Sequence, residues 1–178
     1  MLDKFYITPK QWLRILRWSL YALLFLTAMM VQTVVFGNRT VLGVKPLLVP
    51  VVICCVCLRE GAERGGVFAL LASLFWCFSG AEYGPLSIVV QTAVPVLGAV
   101  GSRAVLSNRY MPCLFITFFT MLLEQSIVFC LKLVAGKAQT SMFFTVLLPC
   151  VLISLLFQPV IYFLVKQTER IGDPYESA

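Results

Sequence analysis

The chain of 178 residues contains no histidine, only 8 acidic residues, and charge at 12% of its positions. Without histidine it lacks the commonest general base and metal ligand near neutral pH. With so little charge it cannot cover a water-soluble surface, where roughly a quarter of residues are charged. It has no glycine-rich phosphate loop followed by lysine, no pair of metal ligands at helical spacing, and no nucleophile beside an activating base. An enzyme is therefore not expected, and neither is a catalytic residue, a metal or a cofactor. Internal repeats and several intramembrane charges, the usual marks of a transport path, are missing too.

The net charge of +6 does not imply nucleic acid, because the Lys and Arg residues stand singly at the ends of apolar runs rather than in a stripe. All seven cysteines (Cys54, Cys55, Cys57, Cys77, Cys113, Cys130 and Cys150) fall inside apolar segments. Cys54-Cys55-Val56-Cys57 has neither zinc-ligand spacing nor a second cluster, so the thiols read as small hydrophobes.

What the chain does have is apolar length. Hydrophobic residues make up 60% and the mean hydropathy is +0.93, which makes lipid the solvent. Backbone groups must pair internally there, and continuous runs rather than alternating ones select helices over a barrel. The expected fold is all-α: one transmembrane domain over residues 1–178 with about six spans.

In chain order, residues 1–17 form a basic flank with Lys4, Lys10, Arg14 and Arg17, suited to anionic lipid headgroups. Apolar runs follow over Trp18–Phe36, Pro46–Leu58, Gly65–Phe78, Leu86–Leu106, Met111–Val134 and Met142–Val165, and a polar tail covers 166–178. The second run is short and contains Pro50, so it either borrows Val41 to Val44 or pairs tightly with the third, and Arg59, Glu60, Glu63 and Arg64 make the turn between them. The stretch Glu60–Leu86 reads as the organiser of the bundle. Gly61, Gly65, Ala69 and Ser73 recur every four residues and leave one helix face nearly without side-chain bulk, open to a neighbouring backbone. Pro95 is expected to kink the fourth helix, with Gly98 and Gly101 allowing close approach.

Alternating the turns places Lys4, Lys10, Arg14, Arg17, Arg59, Arg64, Arg103, Arg109, Lys166 and Arg170 on one side and Arg39, Lys45, Lys132 and Lys137 on the other. Basic residues gather on the cytoplasmic side, so both termini are expected there. Glu124 is the one ionisable residue deep in a predicted span. A carboxylate at a helix centre costs about 2.5 to 3.5 kcal/mol on insertion scales, so it needs protonation, hydrogen bonds or a basic partner. Its neighbour Gln125 and the amides Gln32, Gln91 and Gln158 are the candidate partners. The alternatives for Glu124 are a proton relay, a substrate contact, a contact with a partner subunit, and a polar clamp between helices.

These residues resemble a known family, the rod shape-determining membrane protein MreD. The resemblance covers about residues 27 to 165 in order: QTVVF at Gln32–Phe36, GVKP at Gly43–Pro46, a glycine-spaced helix ending in Ser79-Gly80 with Gly84-Pro85-Leu86 after it, Glu124 in the fifth helix, and Leu148-Pro149 opening a last helix with Tyr162 near its end. Three positions depart from the family pattern. Leu47 stands where an acidic residue is usual, Trp76 where Asp is usual, and Ser154 near a common Asn. The resemblance implies a multi-pass, non-catalytic plasma-membrane subunit of the bacterial cell-wall elongation machinery. Its implied partners are an MreC-like periplasmic protein, peptidoglycan synthases and an MreB-type cytoskeletal filament. The family's fold is similar to that of the substrate-binding subunits of energy-coupling-factor vitamin transporters, so substrate capture is the alternative function. Capture requires a polar pocket reachable from solvent, whereas assembly requires an apolar or small-residue face for another helix.

Overall fold

The computed structural model describes residues 9–37, 44–79, 85–105, 110–136 and 143–172. It is helical throughout its named elements: α1 Pro9–Met30, continued by a π-helical turn Val31–Val35; α2 Val49–Glu60; α3 Ala62–Phe78; α4 Pro85–Val105; α5 Tyr110–Val134; and α6 Leu148–Gly172, preceded by a π-helical turn Phe143–Leu147. Three helical stretches, Gln11–Val35, Tyr110–Val134 and Phe143–Arg170, are long and apolar enough to cross a membrane, and Pro85–Gly101 is a shorter apolar helix.

Beside an apolar core centred on Val49–Cys57, polar side chains turn inward and many large apolar ones turn outward. Ser73, Ser87, Gln91, Thr117, Thr120, Glu124, Ser154 and Gln158 are buried, while Leu86, Val89, Leu97, Phe115, Phe119, Leu152, Leu156 and Phe163 face outward. In α4 the inward positions Ser87, Gln91, Pro95 and Ala99 recur every four residues, the spacing that keeps one helical face turned to its neighbours. Polar groups held inside an apolar exterior suit hydrocarbon surroundings, where inward polar groups bond each other across helices.

The centre of the bundle is α2, a correction to the expectation that the Glu60–Leu86 stretch organises it. Every residue from Val49 to Cys57 is buried, and α2 touches each of the other five helices. Its twelve residues span only about 18 Å at 1.5 Å per residue, less than the hydrocarbon thickness. Pro50 does not interrupt this helix but opens it, in the first turn where no intrahelical partner for its nitrogen is needed. Of the two expectations for the short run, the tight pairing is realised. A single residue, Gly61, closes α2 and starts α3 at φ 87°, a backbone conformation that side chains rarely adopt.

The stripe on α3 faces inward. Gly65, Ala69 and Ser73 are buried together with Ala72 and Trp76. A Cβ on Gly65 would stand 2.5 Å from Cys57 Cα and 2.6 Å from its carbonyl oxygen, so the backbones of α2 and α3 meet there. Gly98 is likewise filled against, by Ile116, but nothing lies within 4 Å of a Cβ on Gly101, which corrects the close approach expected there. The two terminal expectations change as well. Residues from Pro9 onward belong to α1 rather than to a separate flank, and α6 runs on to Gly172 through most of the expected polar tail. The helix is continuous through Pro95.

Candidate functional site

Two places bring buried polar side chains together. The first lies where α4 crosses α5. Gln91 Nε2 donates to Glu124 Oε1 at 2.7 Å, and both residues are only 1% exposed. Gln91 is one helical turn beyond Ser87, which points the same way, and Glu124 continues the inward line of α5 through Thr117, Thr120 and Met121. Glu124 Oε2 and Gln91 Oε1 have no hydrogen-bond partner. Glu124 lines a crevice with Leu86, Ser87 and Val90 of α4 and Ile127, Val128 and Leu131 of α5. The crevice encloses about 10 Å³, close to the space one water molecule needs.

The second place is at the C-terminal end of α2. Arg17 Nη2 donates to Glu60 Oε2 at 2.8 Å and the Tyr21 hydroxyl donates to Glu60 Oε1 at 2.7 Å. Arg59 bonds Glu169 and, at 3.4 Å, the Tyr162 hydroxyl, whose ring packs edge-on against Tyr110. The side chains of Arg17 and Glu60 are 6% and 4% exposed, so the pair is a buried one. This network ties α1, α2 and α6 at one end of the bundle. Sequence reasoning missed it, having assigned Arg17 and Arg59 to orientation and Glu60 to a turn. An adjacent Arg-Glu pair at the end of a helix without any other charge was the available signal.

The remaining candidate residues are placed as follows. Gln32 does not join Glu124. Its Oε1 accepts the backbone N–H groups of Leu48 and Val49 at 2.8 and 3.0 Å and so caps the start of α2. Gln125 is half-buried, on the next position around the helix from Glu124. Gln158 donates to Thr117 Oγ1 at 3.2 Å and toward Cys113 Sγ at 3.5 Å. Leu47, where the family pattern has an acid, gives its N–H to Ser154 Oγ at 2.8 Å, and the Trp76 indole is buried without a partner for Nε1. Ser79 ends α3 by donating its hydroxyl to Phe75 O at 2.8 Å, and Pro85 opens α4, whereas Gly80 and Gly84 lie outside the described residues.

Five cysteines are buried, and Cys55 Sγ stands 3.6 Å from Cys113 Sγ. No group of three or more His, Cys, Asp or Glu suited to a metal ion occurs among the described residues. Between α1 and α6 runs a groove of about 150 Å³ lined by Leu24, Ala28, Leu48, Val52, Phe157 and Ile161 among others, apolar except for Thr27, whose hydroxyl is bonded to Leu24 O. No family model, curated protein or solved structure matches the chain.

Proposed function

We propose that the chain is a non-catalytic, multi-pass subunit of the bacterial cell-wall elongation complex that scaffolds an MreC-like protein and peptidoglycan synthases. Its helices form about six spans of the plasma membrane, the short α2 enclosed by the others, with both termini in the cytoplasm, beside an MreB-type filament. The ordered MreD-like motifs and the ten-to-four division of basic residues support this reading. The observation that carries it against substrate capture is the filled centre. α2 occupies the middle of the bundle, with Val49, Val51, Val52, Ile53, Cys55, Val56 and Cys57 at zero exposure, where a capture subunit needs a chamber. The crevice at Glu124 admits one water, not a vitamin. The outward apolar faces of α3, α4 and α5, with Val67, Leu71, Leu97, Phe115 and Phe119, offer surface for further helices.

Depletion of the protein tests the assignment. Rod-shaped cells are expected to round and to insert new wall without direction, and the tagged protein is expected to co-purify with the MreC-like subunit. Normal shape and wall synthesis together with loss of one vitamin's uptake overturn the proposal in favour of capture.

A further inference from the structure

The α4–α5 seam offers more than a contact between two helices. Glu124 is nine-tenths buried by a wide margin, yet only one of its carboxyl oxygens is used within the protein. The other belongs to a side chain that lines a crevice of water size. The crevice walls are Leu86, Ser87 and Val90, from the first six residues of α4, and Ile127, Val128 and Leu131, from the last third of α5. The two helices run antiparallel here, so the crevice leads from Glu124 toward the end where α4 begins and α5 finishes. From Glu124 to Val134 that is about 15 Å along the helix.

The residues around the carboxyl define what it receives. Gln91 on α4 already gives one N–H to Oε1 and presents a free acceptor of its own, Oε1. The ionisable groups of the other packed helices close enough to feel its charge are thiols, Cys54 of α2 and Cys150 of α6. Glu124 Oε2 accepts a hydrogen bond when the carboxyl is ionised and donates one when it is protonated, and the crevice that Glu124 lines has room for a water, which can do both. The apolar walls of Leu86, Val90, Ile127 and Val128 exclude anything that would compete by size or by a hydration shell.

We infer that the α4–α5 seam is a proton-access site: one water molecule enters along it to Glu124 Oε2, and through it this carboxyl exchanges its proton with the aqueous phase at the α4-start end. The exchange is balanced, since the water takes the carboxyl proton as it returns one of its own and no other bond changes. This inference is independent of the assembly reading, because it concerns a site within one chain.

Infrared spectroscopy of the full chain in lipid vesicles tests it. The protonated carboxyl C=O band, assigned to Glu124 by its loss in Glu124→Gln, is expected to shift within minutes of transfer to D2O. Val90→Phe, which puts bulk into the crevice, is expected to slow that shift by about tenfold with helix content unchanged. A band that does not shift over hours, the absence of a protonated carboxyl band, or an unaltered rate in Val90→Phe each overturn the site. If Glu124→Gln does not fold, the unmodified protein still decides, since its other carboxyl side chains (Asp3, Glu60, Glu63, Glu82, Glu169, Asp173 and Glu176) lie outside the predicted apolar runs. A band that shifts within minutes there supports the site, and one that is absent or static overturns it.

Discussion

Glu60 and Glu124 both bury a carboxyl group, and the protein treats them differently. Glu60, at the end of α2, has each oxygen engaged, one by the Arg17 guanidinium and the other by the Tyr21 hydroxyl. Glu124, on the seam between α4 and α5, has one oxygen bonded to the Gln91 amide and the other unpartnered beside a crevice. The first is a charge neutralised by a charge of opposite sign, so removing either partner leaves a buried ion exposed to low dielectric. The second depends on a neutral amide and keeps spare hydrogen-bonding capacity. One carboxylate locks the α2 region, and the other leaves the seam chemically open.

The largest test of the closed region is at Gly65. Any side chain there meets the α2 backbone at Cys57 rather than the flexible tip of a neighbour. Gly65→Leu is expected to abolish accumulation of folded protein, read by protein abundance in the membrane and by gel filtration after extraction. An abundant, monodisperse variant that has lost only a partner would instead turn this stripe into a docking face.

Next in size is the ion pair. Arg17→Met is expected to cost about 3 to 5 kcal/mol by removing the guanidinium from buried Glu60, while Arg17→Met combined with Glu60→Leu recovers most of that loss. Thermal unfolding in detergent reads both, and equal losses in the single and double variants would remove the clamp from the account. Smaller again is Gln32→Leu, which leaves two N–H groups at the start of α2 without their acceptor and is expected to cost about 1 to 3 kcal/mol. Hydrogen exchange at Leu48 and Val49 should quicken in this variant, and unchanged exchange would show that another group replaces the Gln32 cap.

The sequence made the helices legible because apolar length is local: the fourth and fifth runs agree with α4 and α5 to within one residue at each end. Glu124 stood out for the same reason, as a charge inside a run, and Gln91 was among the few amides able to meet it. The Arg17–Glu60 pair was not legible, since it joins residues 43 positions apart and each had a sufficient local explanation in a basic flank and a turn. Nor was the central place of α2. A helix apolar all round is buried in a soluble protein, but in lipid the same pattern suits either the centre or the rim. Small residues at every fourth position made α3 conspicuous, yet they mark where α3 receives α2. The run of Lys166, Glu169 and Arg170 reads as a tail by polarity, although Glu169 holds the end of α6 to Arg59.

The contrast between the two carboxylates is tested most directly by making the same change at each. Glu60→Gln and Glu124→Gln both exchange a carboxyl oxygen for an amide nitrogen and keep the shape, so thermal unfolding of the two variants in one detergent isolates the role of charge. The account predicts a marked loss of stability in Glu60→Gln, where Arg17 loses the charge of its Glu60 partner, and a midpoint close to that of the unmodified protein in Glu124→Gln. Equal losses in the two variants, or a greater loss in Glu124→Gln, would contradict it.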